Sequence, residues 1–476
     1  MNTIQRIAKN TIVLIIGDLA TAVIGFFFII YVARYLGTEG FGVLSFALAF
    51  TAIFNVLTDI GLSTLTTREV ARKKSLTRKY LGNIFTLKMI LAVTTFGLIA
   101  LVINLMDYPA ETVNVVYLIA ISVFLSSFNL MFYSIFHGFE KMEFVTIGKI
   151  LQSAMLLTIT LIAITQGAGI ITIALIYLEA NLISLIYSFI ISALKFAKPS
   201  LRFDVSFWKE TLWKAWPFGL TLAFSAIYYW IDSVMLSMMA GEEAVGWYNA
   251  AYRMVLALLF IPSAYCRSIY PVMSRYFISA KNSLSFALEK SVKYMIIIAV
   301  PICIGTTLLA KDLILLLFGN EYYSSILALQ ILIWTALFIF ISTVFTYLFN
   351  SIDKQAIVTA VSGSGALLNI SLNWILIPRY SYAGAGIATV LTELLVLAAF
   401  LFLVHRNRYR LSGTLIIIII KIIISASIMG IAIYYLQDLT VWLLIPLGAL
   451  LYFVSLFAMR GLDKEDVMLV KMTFRK

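Results

Sequence analysis

Charge is what this chain has least of. Only 12% of its 476 residues are Asp, Glu, Lys or Arg, about half the share found in soluble proteins. No soluble core could hide 62% hydrophobic residues at a mean hydropathy of +1.00, so the expected solvent is lipid. Cysteine is nearly absent as well. Cys266 and Cys303 both sit in apolar runs, which excludes a disulfide framework and any cysteine metal motif. The two histidines, His137 and His405, stand on turns without ligand spacing. No GxxxxGK[ST] occurs, so no ATPase is built in. No long external loop or soluble domain interrupts the apolar runs, whereas a membrane-embedded polymerase or ligase of sugars would be expected to bring one. Arg6 and Lys9 precede an apolar run in the manner of a signal peptide. The run from Asn10 to Ala33 is too long for that and is expected to be a retained first helix.

What is present is repetition. Residues 35–49 read YLGTEGFGVLSFALA and residues 239–253 read MAGEEAVGWYNAAYR. Gly37, Glu39, Gly42 and Ala47 match Gly241, Glu243, Gly246 and Ala251 without a gap. Two further pairs follow in the same order. FHGFEKMEFV (136–145) matches FNSIDKQAIV (349–358), and GAGIITIAL (167–175) matches GAGIATVLT (384–392). Three anchors in register mean a duplicated unit. In so apolar a chain, duplication points to a transporter with its site between the halves.

Apolar runs of about 20 residues span a bilayer as helices. Fourteen occur, near 10–33, 41–62, 84–105, 114–136, 146–165, 170–194, 214–239, 245–270, 291–310, 327–349, 356–376, 385–404, 414–436 and 441–459. With the N-terminus inside, the inside segments hold most of the 35 Lys and Arg. They include Arg68, Arg72, Lys73, Lys74, Arg78 and Lys79 in one loop, and Lys195, Lys198, Arg202, Lys209 and Lys214 in another. Outside segments hold Arg34, Lys311 and Arg379. This asymmetry places both termini in the cytoplasm. It also explains the net charge of +12 through orientation and lipid-headgroup attraction, without a nucleic-acid partner. The expected fold is an all-α integral membrane protein of about 14 transmembrane helices. It has two pseudo-symmetric six-helix lobes, 1–200 and 201–410, and a C-terminal pair with a cytoplasmic tail, 411–476. Six is even, so both lobes enter the membrane in the same direction.

The segments VARYLGTEGFGVLSFALAF (32–50), IDSVMLSMMAGEEAVGWYNAAYRM (231–254) and LLFGNEYYSS (316–325) resemble the polysaccharide-transporter family. That family includes the O-antigen and related lipid-linked oligosaccharide flippases. Its superfamily also holds the multidrug and toxin extrusion antiporters and the lipid II flippases. The resemblance covers nearly the whole chain and lies in the set of motifs and their spacing. It implies alternating access between two lobes, a cell-membrane location, and a substrate of a glycan on a polyprenyl phosphate or pyrophosphate. Partners would be that substrate, membrane lipids and other polysaccharide-assembly proteins. Physics requires such a carrier, because a pyrophosphate and a string of hydroxyls cannot cross hydrocarbon unaided. Two competing readings are a multidrug antiporter of the same fold and, from another class, a membrane-embedded glycan-processing enzyme. The antiporters usually stop at twelve helices and favour acidic cavities.

Charges inside spans usually face a cavity or a partner. Arg253 lies ~12 Å into the eighth run and Asp232 at similar depth in the seventh. These runs are antiparallel neighbours. The pair reads either as a switch, with Arg253 binding phosphate in one state and Asp232 in the other, or as a static ion pair. Arg267 shares the Arg253 face nearer the cytoplasm, where it contacts substrate or snorkels. Arg34 ends the first helix as a substrate contact or an interface anchor. Asp18, Asp59 and Lys88 fall at comparable depth on the first three helices, as a salt network or a gate. Glu179 and Glu393 sit near mid-membrane and are candidate proton carriers. Tyr228, Tyr229 and Trp230 adjoin Asp232 and, with Tyr31, suit sugar faces or packing. The lipid II flippases' sodium site, carried over by resemblance, would fall on Asp232, Asn369, Asn373 and Thr389 or Thr392. Asn369 and Asn373 share one helix face. Asn373 departs from the pattern, because a second carboxylate there would balance charge. No other cofactor is expected, and coupling to sodium or protons is.

Overall fold

The computed structural model describes residues 3–279, 281–409 and 412–462. They are predominantly helical, with no strand among the described residues. In chain order the helices are α1 (Thr3–Asp59), α2 (Leu62–Arg72), α3 (Thr77–Leu105), α4 (Ala110–Gly138), α5 (Met142–Thr165), α6 (Ile170–Lys195) and α7 (Val205–Ala240). They continue as α8 (Glu242–Leu258), α9 (Phe260–Ser279), α10 (Lys281–Phe318), α11 (Ser325–Ser351), α12 (Gln355–Arg406), α13 (Gly413–Tyr435) and α14 (Val441–Ala458).

Twelve helical stretches among the described residues are long and apolar enough to cross a membrane. The two longest, Ile12–Asp59 and Gln355–Arg406, have 48 and 52 residues. Each is more than twice the ~30 Å thickness of the hydrocarbon. A non-helical residue breaks each one, Gly37 in α1 and Ser381 in α12. Ten single and two double stretches give the fourteen crossings expected from the apolar runs. The lipid-facing surface agrees: Ile416, Ile431, Leu450 and Phe457 on α13 and α14 are each about 60% exposed. Residues 463–476, the end of the expected cytoplasmic tail, lie outside the described residues.

The backbone confirms two of the three repeat anchors. Gly37 has φ 68° and ψ −176°, and its mate Gly241 has φ 84° and ψ 173°. Only glycine adopts this conformation readily. Glu140 and Asp353 share a left-handed φ, 58° and 60°. In both turns the following lysine N–H donates to the phenylalanine carbonyl five residues earlier, Lys141 to Phe136 and Lys354 to Phe349, each at 2.9 Å. The third anchor uses its glycines differently. Gly167 supplies φ 73° in a turn before α6. Gly384 lies inside α12, where the Ser381 break folds the helix so tightly that a Cβ would come within 2.3 Å of the Leu376 carbonyl oxygen.

Contacts divide the chain into two compact units, Met1–Asn249 and Ala250–Lys476. In the first, α4 packs on α1, α2 and α6. Its core gathers Leu62, Leu65, Leu81, Phe132, Phe136 and Phe207. Segment 62–72, read from sequence as part of a charged loop, is the helix α2. It is amphipathic, burying Leu62, Leu65 and Val70 while exposing Arg72. In the second unit, α10 packs on α11 and α13. Tyr452 on α14 is fully buried and donates to the Ile297 carbonyl of α10 at 2.8 Å. Glu289 of α10 accepts from the Ser412 backbone N–H at 3.2 Å and from its hydroxyl, fixing the start of α13.

Candidate functional site

In the first unit, α1 ends at Asp59. Ile60 (φ 44°) and Gly61 (φ 80°) then turn the chain into α2. Here Lys88 of α3, 1% exposed, meets Asp59, 6% exposed. Lys88 Nζ lies 2.5 Å from Asp59 Oδ1, 2.8 Å from Ser127 Oγ and 3.1 Å from the Ser127 carbonyl oxygen. An ammonium has three N–H donors, and three acceptors meet them. Asp59 Oδ1 also accepts from Ser63 Oγ at 2.5 Å, and Ser127 Oγ from Thr58 Oγ1 at 2.9 Å. The pair therefore ties α1, α2, α3 and α4 together with its donors fully used. Asp18 does not join it. It accepts from Lys149 of α5 at 3.0 Å, where both side chains are partly exposed.

Asp232 of α7 is buried at 1% exposure. Tyr248 of α8, itself fully buried, donates to Asp232 Oδ2 at 2.8 Å. One residue on, Asn249 Nδ2 donates to Ser233 Oγ at 3.0 Å. Tyr228 and Tyr229 meet edge to face at 5.9 Å, with Tyr229 exposed. Arg34 and Tyr31 are exposed on α1. Glu179 is exposed on α6.

The repeated turns pack on each other inside the first unit. A Cβ on Gly42 would lie 1.8 Å from the Glu242 carbonyl oxygen, and one on Gly246 would lie 2.0 Å from that of Thr38. Gly42 and Gly246 are repeat mates, and so are Thr38 and Glu242. The contact is thus reciprocal, backbone against backbone, with a local two-fold relation. Beside it, Tyr108 and Ser237 hydroxyls lie 2.7 Å apart, and Ser237 donates to Glu242 Oε2 at 2.8 Å.

In the second unit, Arg253 is half-buried on α8 and Arg267 is exposed on α9. Asn369, Asn373, Thr389, Thr392 and Glu393 are all buried on α12. Asn373 Nδ2 donates to Asn369 Oδ1 at 3.0 Å, and Thr389 Oγ1 donates to the Ala385 carbonyl at 2.9 Å. Oxygen donors of this kind can coordinate sodium, and the Asn369 oxygen keeps a second lone pair beyond the one that accepts from Asn373. No group of three His, Cys, Asp or Glu able to hold a metal forms among the described residues.

Sequence reasoning missed three features. Tyr248 is the partner of Asp232, visible only once α7 and α8 are set in register. Lys293 of α10 is buried at 2% exposure and stands 205 residues after Lys88, close to the 204-residue spacing of the repeated turns. Aligning the halves would have found it. The third is an apolar cavity of about 370 Å³ within the second unit. Its walls are α10, α13 and α14, through residues such as Ile297, Pro301, Gly305, Met429, Tyr452 and Phe453.

Fourteen apolar crossings, a duplicated half and charges sealed within spans define a multi-pass membrane transport fold. The comparisons agree. Residues 7–277, more than half of the chain, match the family described as "Polysaccharide biosynthesis protein", and residues 217–375 match the MatE family. An uncharacterized membrane protein of Methanocaldococcus jannaschii is 26% identical over 292 residues, 58% of this chain and 57% of that one. A Shigella flexneri protein named "Putative O-antigen transporter" is 24% identical over 404 residues, 81% of this chain and 94% of that one. The solved structure "Lipid II flippase MurJ, inward closed conformation" superposes with a TM-score of 0.78 at 18% identity. It covers 92% of this chain and 97% of its own. At that identity the likeness shows the fold. The chain belongs to the polysaccharide biosynthesis protein family.

Proposed function

We propose that this protein moves a polyprenyl-(pyro)phosphate-linked oligosaccharide from the inner to the outer leaflet by alternating access, as a transporter and not an enzyme. The observation that carries the reading is the apolar cavity walled by α10, α13 and α14. Two of these helices lie beyond the duplicated twelve. A drug antiporter has no need of them, whereas a lipid chain needs an apolar wall while its head crosses in a polar environment. In this reading both termini are cytoplasmic, and residues 1–200 and 201–410 act as the two lobes. Arg253 takes the anionic head, because its always-charged fork suits phosphate. Arg267 and Arg34 are the supporting cations, and Tyr228 and Tyr229 the sugar platform. Asp232 carries the coupling, as a proton site or with Asn369, Asn373 and Thr389 toward sodium. Glu179 and Glu393 are the alternative proton carriers.

The MatE match over residues 217–375 supports a second reading, export of an organic cation. Purified protein reconstituted in liposomes distinguishes the two. The proposal expects a fluorescent polyprenyl-linked sugar to become accessible in the far leaflet. Extrusion of a cationic dye with no movement of the lipid-linked sugar would overturn it.

A further inference from the structure

A rigid platform sits where the chain passes from α6 into α7. After α6 the backbone runs non-helically from 197 to 204, yet it is tied down along its length. Ala197 N–H donates to the Ser192 carbonyl at 2.8 Å, and Ser192 Oγ donates back to the Ala197 carbonyl at 3.0 Å. Arg202 N–H donates to Thr86 Oγ1 of α3 at 3.1 Å. Its stem lies so close to Gly82 that a Cβ there would meet Arg202 Cδ at 3.0 Å. Asp204 caps α7, accepting from Phe207 N–H at 3.0 Å and from Ser206 Oγ at 2.6 Å. These bonds hold its carboxyl below the usual range, the Ser206 hydroxyl first and the Phe207 N–H next.

The first turns of α7 then have two faces. Phe207, Thr211 and Ala215 are buried in the core. Val205, Lys209, Trp213 and Trp216 recur at i, i+4, i+8 and i+11, one helical stripe, and all are exposed. Trp213 is 77% exposed, and Phe203 on the adjoining segment 73%. Among these apolar groups stand Lys198, Arg202 and Lys209, all exposed. The two acids of the segment are already occupied, Asp204 by the cap and Glu210 by Lys214 at 2.5 Å. Among the described residues, Lys198, Arg202 and Lys209 form no ion pair.

A fixed surface that offers tryptophans beside unpaired cations matches the boundary between acyl chains and anionic headgroups. We infer that residues 198–216 form a binding site for anionic phospholipid, which anchors the start of α7 at the headgroup level. The commitment to lipid follows from the mixture. Cations alone would suit any anion, but exposed Trp213, Trp216 and Phe203 add an apolar surface that a soluble acidic ligand would leave in water.

The test uses the full chain purified in detergent. Native mass spectrometry compares retention of phosphatidylglycerol and of phosphatidylcholine. Wild type should retain phosphatidylglycerol preferentially. The triple variant Lys198→Gln, Arg202→Gln, Lys209→Gln should lose that preference by roughly fivefold for each cation removed, with its melting transition unchanged. Trp213→Phe, in nanodiscs, should lower the fluorescence quenching by brominated phosphatidylglycerol. Equal retention of both lipids by wild type overturns the inference, and so does unchanged phosphatidylglycerol retention by the triple variant. If the triple variant keeps its lipid preference but loses transport in cells, the surface serves a protein partner instead and the lipid site is wrong.

Discussion

Lys88 and Asp59 are a charged pair with no spare donor. Their burial makes each the other's condition for being charged. Breaking such a pair from one side leaves an uncompensated charge and costs about 3–5 kcal/mol, whereas replacing both partners with apolar groups is often far milder. Lys88→Met alone and Asp59→Leu alone are therefore expected to lower the detergent melting temperature sharply. The double variant should recover most of the loss. A double variant as unstable as the singles would show that the Ser63 and Ser127 bonds, not the charge pair, hold the junction. Arg253 has a different expectation. It is half-buried on α8, and in the proposed role it meets substrate. Arg253→Ala should abolish transport at normal expression and melting temperature, and Arg253→Lys should restore little, because a point charge does not replace a bidentate fork. Full transport by the Ala variant would remove it from the binding site.

At the scale of elements, the repeated turns show what pattern reading captures. Gly37, Gly42, Gly241 and Gly246 were legible as a repeat because glycine is required at the same places in both copies, at the φ of 37 and 241 and at the close approach of 42 and 246. That the copies pack on one another was not legible, because a repeat gives equivalence and not contact. The same limit split Asp18 from Asp59 and Lys88. Depth along a helix can be counted from sequence, but the direction a side chain faces around it depends on neighbours, and Lys149 of α5 supplied the nearer partner. The helix α2 was lost among its charges because 11 residues are too short for a strong periodic signal. The break at Ser381 falls in the gap between the runs 356–376 and 385–404, so the interruption was legible though its exact residue was not. The reciprocal contact yields its own test. Thr38 Oγ1 and Glu243 Oε1 are 3.5 Å apart, so cysteines placed at 38 and 243 should be joined by a short bifunctional thiol cross-linker. Cys266 and Cys303 are buried and should add little background. Adding Gly42→Ala forces its Cβ against the Glu242 backbone. It is expected to cut the cross-link yield several-fold and to impair transport. An unchanged yield would mean the turns close without the glycine pair.

For the whole molecule, the question is what drives net movement. In the proposed role, direction would come from an ion gradient or from removal of product. In that role Asp232 is the group proposed to respond to an ion. It is sealed at 1% exposure, and its Oδ2 accepts from the Tyr248 hydroxyl at 2.8 Å. A buried carboxylate favours whichever state of the protein gives it a cation or a proton. An ion bound there can shift a conformational equilibrium only by its difference in affinity between the two states. Proteoliposomes should flip a labelled lipid-linked sugar faster under an imposed sodium or proton gradient than without one. Asp232→Asn should keep a basal rate and lose the acceleration. Tyr248→Phe removes the hydroxyl that donates to Asp232 and should weaken the acceleration without abolishing it. Rates that ignore both proton and sodium gradients would make the protein a passive scramblase, and Asp232 would then be a structural acid held by Tyr248.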